Sequence, residues 1–324
     1  MKIFLGLIFL FWFFRGWDLI LGSYFFIPFL NKELGDTPPP AWPKVSIIFA
    51  AKEEEKRIKA ATLSMLSQDY PDYEVIAVND RSTDRTAQEL QSIADPRLQV
   101  KTITSLPKGW LGKTHALYEG SRLATGEWIL FTDADVLMAP DTLKKSIMAC
   151  QHHGLDHLAL FPQIELEQFV EAMFTHYFMI AFNFLFRPWM ARFKHSRHYV
   201  GIGAFNFIRR EVYEKIGAHT KIAMEVADDM KFGKLVKRSG FRQMAIFGNE
   251  LVRVRWVEGW GGVLKSLHKN AFSGVQYNVL YLFLSSIGLF CTDVLPFAGL
   301  FLTQGLSFYF SAGSVAMIFL IYLS

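Results

Sequence analysis

Apolar residues run almost without interruption from Ile3 to Leu30 and again from Val279 to the end of the chain. Between these blocks, short apolar runs alternate with amphipathic ones. About 20 apolar residues suffice to cross a bilayer, so the first block predicts a membrane span. A cleavable signal peptide is the rival reading. It is disfavoured because the apolar run continues past Gly22 and Ser23 and no small-x-small site closes it. Arg15 and Asp18 interrupt the block, and charges at membrane depth are costly, so they are expected to pair or to lie near an interface. In the second block, Asp293 and Pro296 divide Tyr281–Cys291 from Leu295–Phe310, and a further run follows at Val315–Leu323. Two or three spans fit there, the last of them short for a full crossing.

The middle of the chain reads as strand and helix in alternation. After a proline-rich spacer, Val45–Ala51 predicts a buried strand, and Glu53–Gln68 a helix whose Ile58, Ala61, Met65 and Leu66 share one face. Strands at Tyr73–Val78 and Leu98–Ile103 follow, with a helix between them capped by the Ser82, Thr83, Asp84 group. A helix over Gly112–Leu123 leads to a strand over Glu127–Phe131, and another strand is expected at Leu158–Phe161. Such alternation predicts a mostly parallel sheet with helices on its faces, whose ligands bind beyond the carboxyl ends of the strands. Glu54, Asp80, Asp133 and Asp135 all fall at those ends.

Asp133 and Asp135 lie within the stretch GEWILFTDADVLMAP, residues 126–140, just after its apolar run. In extended chain the side chains at i and i+2 point the same way, so these two carboxylates can share a target while Ala134 faces the sheet. Like charges that close repel unless a cation or water separates them. An isolated Asp-x-Asp is ordinarily a surface turn; its company at the other strand ends turns the reading toward a metal site. Farther on, Gly201 and Gly203 predict a tight approach before another strand, and Glu211–Ile216 a short helix. Asp228 and Asp229 open a helix that runs to Arg238 and stops at Gly240. Acids in a first helical turn also serve as simple capping groups.

Composition sharpens the membrane reading. Hydrophobic residues make up 51% of the 324, with 31 Phe and 8 Trp, above the usual soluble share. Lys265, His268 and Lys269 precede the second apolar block, which by the positive-inside tendency places the middle domain in the cytoplasm. Gln168–Met190 is apolar but carries His176, Asn183, Arg187 and Pro188, and a basic aromatic segment follows it to His198. That pattern predicts a segment lying in the membrane interface, with a buried core helix as the rival. The two cysteines, Cys150 and Cys291, support neither a disulfide framework nor a zinc site. The segment PKGWLGKT, residues 107–114, comes within one residue of a phosphate-cradling loop, but Pro107 supplies neither the freedom nor the N–H that its first glycine gives. A receiver-type fold also gathers acids at strand ends, yet needs no membrane spans.

Four segments in this order, VSIIFAAKEEE (45–55), VNDRSTD (78–84), Asp133-Ala134-Asp135 and Asp228-Asp229, resemble family 2 glycosyltransferases of the GT-A fold. The resemblance covers roughly residues 42 to 275. Gly109–Lys113 and the flanking spans are similar, more narrowly, to membrane-bound members that glycosylate lipids, including carotenoid- and hopanoid-associated enzymes and ceramide glucosyltransferases. Processive members carry Gln/Arg-x-x-Arg-Trp; here Val252 precedes Arg253 and only Arg255-Trp256 agree, which disfavours a polymerising enzyme.

The resemblance implies an α/β GT-A catalytic domain, Rossmann-like, with helices on both faces of its sheet, over residues 44–275. Within it an interfacial segment lies at about 168–198. A transmembrane helix at 1–30, a linker at 31–43 and a transmembrane region at 276–324 complete a multi-pass cell-membrane protein. The implied partners are a nucleotide-sugar donor, a UDP-sugar first, and a lipid acceptor, with no nucleic acid. The implied cofactor is Mg²⁺ or Mn²⁺, held by Asp135 with Asp133 beside it. Ala50, Glu54, Asp80, Lys113 and Asp133 would face the nucleotide sugar. Asp229 would be the base of an inverting displacement, its pKa raised by Asp228 or by apolar surroundings. Gly203, Arg255, Trp256 and Lys269 are candidates on the acceptor or diphosphate side. The alternatives are a polyprenyl-phosphate sugar synthase, whose acceptor needs no base, and a catalytically silent nucleotide-sugar-binding membrane protein.

Overall fold

In the computed structural model the described residues are 1–32, 41–274 and 278–323, with the side chains at 24, 269–274 and 323 outside that description. Most of the expected linker at 31–43 therefore lies outside the described residues. Along the chain, α1 (Lys2–Phe26) precedes β1 (Val45–Ala51), α2 (Ile58–Leu66), β2 (Tyr73–Asp80), α3 (Thr86–Gln91), β3 (Leu98–Ile103) and α4 (Gly112–Ser121). Then come β4 (Trp128–Asp133), β5 (Leu137–Met138), α5 (Thr142–His152), β6 (His157–Ile164), α6 (Phe169–Phe186), β7 (Asn206–Arg209) and α7 (Arg210–Lys215). The chain closes with α8 (Asp228–Arg238), β8 (Gln243–Val254), α9 (Gly259–Gly274), α10 (Val279–Leu289), α11 (Leu295–Leu302) and α12 (Leu306–Leu323).

These elements form two compact units: Ile27–Leu166 with Pro188–Trp256, and Met1–Phe26 with Glu167–Arg187 and Val257–Ser324. The expected stretch 44–275 is thus shared between them. The first unit holds an eight-stranded sheet in the order β3-β2-β1-β4-β7-β6-β8-β5. Strands β3, β2, β1 and β4 pair in parallel, β7 runs antiparallel between β4 and β6, β8 pairs in parallel with β6, and β5 is an antiparallel edge.

The continuous apolar runs follow from burial on both faces. Ile47, Phe49, Val75 and Ala77 pack into one core layer with Ile58, Ala61, Met65 and Leu66 of α2. Their neighbours Ile48, Ile76, Val78, Ile129 and Phe131 pack into the opposite layer with Ala116 and Leu117 of α4. Each such aliphatic side chain contributes roughly 1.5–3 kcal/mol by leaving water. A methyl group on Gly120 would stand 2.5 Å from Ile48 Cγ2, so the glycine sets how closely α4 lies on the sheet.

Three local expectations are corrected. The helix expected from Glu53 begins only at Ile58. Glu53 has φ +57°, and the amides of Glu54 and Glu55 donate to Thr86 Oγ1 at 2.8 Å and Asp84 Oδ2 at 3.1 Å. Those side chains outcompete a first helical turn and bind the β1–α2 loop to the segment after β2. Secondly, β4 ends at Asp133 and Ala134-Asp135 form a turn, so the extended alternation does not carry the two acids. Ala134 is nonetheless buried in the core. Thirdly, Asp293 and Pro296 do not break the C-terminal helix. Phe290–Val294 is a π-helical turn leading from α10 into α11, and the break falls after Leu302.

In the second unit, Lys2–Ser23, Phe169–Arg192 and Val279–Leu302 are long and apolar enough to cross a membrane, and Leu306–Tyr322 is a shorter apolar helix. Much of their apolar surface is exposed, Phe169, Leu185, Phe283 and Phe301 among them.

Candidate active site

Strand register fixes the floor of the site. Ala50 on β1 is level with Asp133 on β4, and Ala51 with Asn79 on β2, so Asp80 and Asp133 end the two strands that flank β1, at the same end of the sheet. Asp80 is buried, and its carboxylate accepts from Arg81 Nε at 2.8 Å and Nη2 at 3.1 Å. A methyl group on Gly112 would overlap that carboxylate, so the start of α4 lies against it, where the helix dipole favours negative charge. Glu54 sits in the β1–α2 loop held by Thr86.

The next residue, Lys113, ties the acids together. Its ammonium stands 2.6 Å from Asp133 Oδ1 and 3.7 Å from Asp228 Oδ2, and although burial opposes the charge, Asp133, Asp228 and Asp229 hold the lysine protonated well above its ordinary range. The Leu111 amide donates to the Ala223 carbonyl at 2.9 Å and is not offered to a phosphate, which removes the cradle reading of residues 107–114.

Asp229 is placed by the glycine loop. Its Oδ2 accepts from the Gly203 amide at 3.0 Å and its Oδ1 from the Met230 amide at 2.7 Å. Burial raises the pKa of its carboxyl, against the Lys113 charge and these two amides. Apolar surroundings, one of the two causes expected, act here; Asp228 is not among the main causes. Gly201 abuts the Asp229 backbone so closely that a side chain would overlap its carbonyl. Lys113, Thr132, Asn206, Asp228 and Asp229 line one cleft together with the apolar Leu117, Phe131 and Phe232.

Asp135 lies apart from the Lys113 cluster. Its Oδ2 is 3.8 Å from Arg57 Nη1, which also donates to the Arg255 carbonyl at 3.1 Å. Burial, then the Asp133 charge, push the Asp135 carboxyl up to about 6. A carboxylate whose proton affinity is raised by burial and by a second carboxylate beside it is a donor suited to a hard divalent cation. Among the described residues no group of three or more His, Cys, Asp or Glu gathers to enclose a metal. Asp133 and Asp135 are thus the carboxylates that would hold a Mg²⁺ or Mn²⁺ ion, with oxygens from other groups needed to complete its shell.

Of the outlying candidates, Arg255 reaches the Asp135 neighbourhood through Arg57, and Trp256 is half-buried against the core layer containing Val252. Lys269 falls on α9 in the helical unit, and its side chain lies outside the described residues. Sequence reasoning missed Arg57, His219 and Asn206. Arg57 was hidden inside an amphipathic pattern. His219 and Asn206 lie in no charged motif and become visible only when the chain folds them against Phe131 and His157.

The order of the sheet, the acids at its edge and the cleft beside α8 define a GT-A glycosyltransferase fold. Residues 46–217, more than half of the chain, match Glycosyl transferase family 2, and the chain belongs to that family. The chain is 24% identical over 255 residues to a 4,4'-diaponeurosporenoate glycosyltransferase of Staphylococcus haemolyticus, an alignment covering 75% of this chain and 65% of that protein. It is 26% identical over 242 residues to the Staphylococcus aureus (strain USA300) protein of the same name, covering 72% of this chain and 58% of the relative. The chain thus spans less than two thirds of the length of these relatives. Among solved structures, the mannosyltransferase PcManGT from Pyrobaculum calidifontis, in complex with GDP-Man and Mn²⁺, superposes with a TM-score of 0.60 at 21% identity, covering 96% of this chain and 86% of that one. At that identity the likeness concerns the fold.

Proposed function

We propose that this chain is an inverting, metal-dependent, non-processive hexosyltransferase. It moves the sugar of a nucleotide sugar, a UDP-sugar first, onto a hydroxyl or carboxyl group of a lipid or isoprenoid acceptor at the cell membrane. The observation that carries the reading is Asp229: a half-buried carboxylate whose pKa is raised, fixed by two backbone amides, in a cleft it shares with Lys113 and Asp228 at the edge where Asp133 ends. The family membership, the structural relative holding GDP-Man and Mn²⁺, and the relatives named for a carotenoid-related acceptor support it. The apolar helices support a multi-pass protein, and the basic residues before α10 a cytoplasmic catalytic unit.

In this reading Ala50, Glu54 and Asp80 face the nucleoside, and Lys113 and Arg255 steady the diphosphate. Asp133 and Asp135 would hold the metal, which when bound offsets diphosphate charge as the leaving group departs. Asp229 accepts the acceptor's proton as the acceptor oxygen attacks the anomeric carbon from the face opposite the leaving diphosphate, inverting that centre in one displacement. Raised proton affinity makes it a stronger base than an ordinary aspartate, and the Gly203 and Met230 amides keep the carboxylate aimed while it is charged. Asp228, 3.7 Å from Lys113, holds the lysine toward the cleft. The apolar half of the lining, Leu117, Phe131 and Phe232, excludes water from the reacting sugar.

The test is transfer from a panel of labelled nucleotide sugars by membranes carrying the protein, with labelled lipid identified by mass. Asp229→Asn is expected to lower transfer by about 10²–10⁴, the weight of a general base. Wild-type transfer by that variant sinks the base assignment, and if the metal requirement persists it favours an already ionised phosphate acceptor. Binding of a nucleotide sugar without turnover on any lipid would favour a silent binding protein.

A further inference from the structure

The helical unit carries a charged cluster that plays no part in the proposed reaction. Arg15 and Asp18, a turn apart on α1, meet Arg187 at the end of α6. Arg15 Nη1 is 3.4 Å from Asp18 Oδ2, and Arg187 Nη2 is 2.5 Å from Asp18 Oδ1. Arg15 also donates to the Phe184 carbonyl in the last turn of α6, and its guanidinium lies 4.5 Å over the Phe184 ring. The cations outnumber the anion by two to one. The negative end of the α6 dipole offsets about half a charge at most, so the cluster stays net positive. Arg187 Nε is buried and donates to nothing among the described residues, while the three side chains keep 31%, 24% and 28% of their surface exposed.

Surrounding this cluster are helices long and apolar enough to cross a membrane, whose outer faces are exposed. Unneutralised charge on such helices is expensive unless something supplies the counter-charge. Arg187 ends α6 in the left-handed conformation, φ +47°, so the cluster lies where an apolar helix stops, the level at which head groups meet hydrocarbon. Arginine forks there suit a bidentate oxyanion. We propose that Arg15 and Arg187 form a binding site for the phosphate of an anionic membrane phospholipid, with Asp18 holding the two guanidinium groups in register. The site is independent of the transfer chemistry and would persist if that reading failed.

The full-length protein is reconstituted in nanodiscs of phosphatidylcholine alone or of equal parts phosphatidylcholine and phosphatidylglycerol. Retained phospholipid is then counted by native mass spectrometry. Wild type is expected to retain phosphatidylglycerol over phosphatidylcholine by roughly fivefold, the weight of about one basic side chain at an anionic surface. Arg187→Gln leaves Arg15 balanced by Asp18 and is expected to lose that preference. Asp18→Asn breaks the bridge but keeps both cations, and is expected to keep or strengthen it. Equal retention of the two lipids by wild type, an undiminished preference in Arg187→Gln, or loss of preference in Asp18→Asn would each overturn the proposal and leave a purely structural bridge between α1 and α6. Inorganic phosphate added to the mixed nanodiscs is expected not to displace bound phosphatidylglycerol; displacement would show a free-phosphate site instead.

Discussion

The Gly203 amide donates to the Asp229 carboxylate at 3.0 Å, and a methyl group on Gly203 would stand 2.7 Å from Asp133 Oδ2. One glycine therefore separates the carboxylate assigned the proton from the carboxylate assigned to the metal side. Its lack of a side chain sets their spacing. The contact is with the movable end of Asp133, so Gly203→Ala is expected to fold normally while pushing that carboxylate aside. A displacement near 1 Å in such a constellation can cost about a hundredfold in rate. Transfer assays beside thermal melting check this, and unchanged transfer would remove Gly203 from the site. Gly201→Ala behaves differently, because its new methyl meets the Asp229 backbone, so it is expected to lower the melting temperature too.

Lys113 stands within 4 Å of both Asp133 and Asp228. Removing its charge leaves acids facing one another across the cleft. Breaking a buried ion pair costs about 3–5 kcal/mol, and with 36% of the side chain exposed the discounted expectation for Lys113→Gln is about 1–2 kcal/mol. Denaturant unfolding measures it, with added Mg²⁺ expected to recover part of the loss. A variant as stable as wild type would show that solvent already screens these acids.

The sheet's first half was legible in the sequence because β1, β2 and β4 are buried on both faces and read as unbroken apolar runs. In its second half β6 and β7 were legible too, but β5 and β8 were not. The edge strand β5 is only Leu137–Met138, and β8 alternates buried and exposed residues around Gly248 and Asn249, where φ of Asn249 is +42° and its register against β6 shifts. The acids were legible as stations along the chain, but their partners were not. Nothing in the local pattern marks Arg57 as the neighbour of Asp135, because that contact depends on a loop whose amides are held by Asp84 and Thr86. Likewise Lys113 was expected to face the nucleotide sugar, and nothing local showed that its ammonium would meet Asp133.

Two buried histidines predict how stability depends on pH. His157 is fully buried with Nε2 3.1 Å from Asn206 Oδ1, and burial lowers its pKa from 6.5 to about 4. His219, against Phe131 and Phe232, is lowered to about 3, by burial and then by Lys113. Above pH 6.5 both are neutral folded or unfolded, so neither makes stability vary. Below it the unfolded chain takes up protons that the folded one refuses, so stability falls with falling pH down to about 4 for His157 and about 3 for His219. Since one pKa unit is about 1.4 kcal/mol, the loss through His157 is at most about 3 kcal/mol. Melting temperatures in detergent between pH 7 and pH 4 (roughly the His157 window) are expected to fall, less steeply in His157→Asn. A variant with the wild-type slope would place the titration elsewhere.

The proposed metal dependence rests on Asp133 and Asp135. Burial and the Asp133 charge raise the Asp135 carboxyl to about 6, so near neutral pH it is charged beside Asp133, with Lys113 and Arg57 offsetting part of the repulsion. A divalent cation relieves that repulsion most when a diphosphate supplies its remaining oxygens. Manganese binding, followed by the loss of the free-ion paramagnetic resonance signal, is therefore expected to tighten when a nucleoside diphosphate is added. Asp135→Asn removes one negative ligand and is expected to weaken that binding at least about tenfold, on the scale seen for lost metal-site partners. Chelation is expected to stop transfer and added Mn²⁺ or Mg²⁺ to restore it. Arg57→Gln is the discriminating companion, since it deletes the competing cation beside Asp135 while keeping both carboxylates. Tighter manganese binding in Arg57→Gln with weaker binding in Asp135→Asn would place the ion at this pair, whereas identical binding in both variants would place it elsewhere.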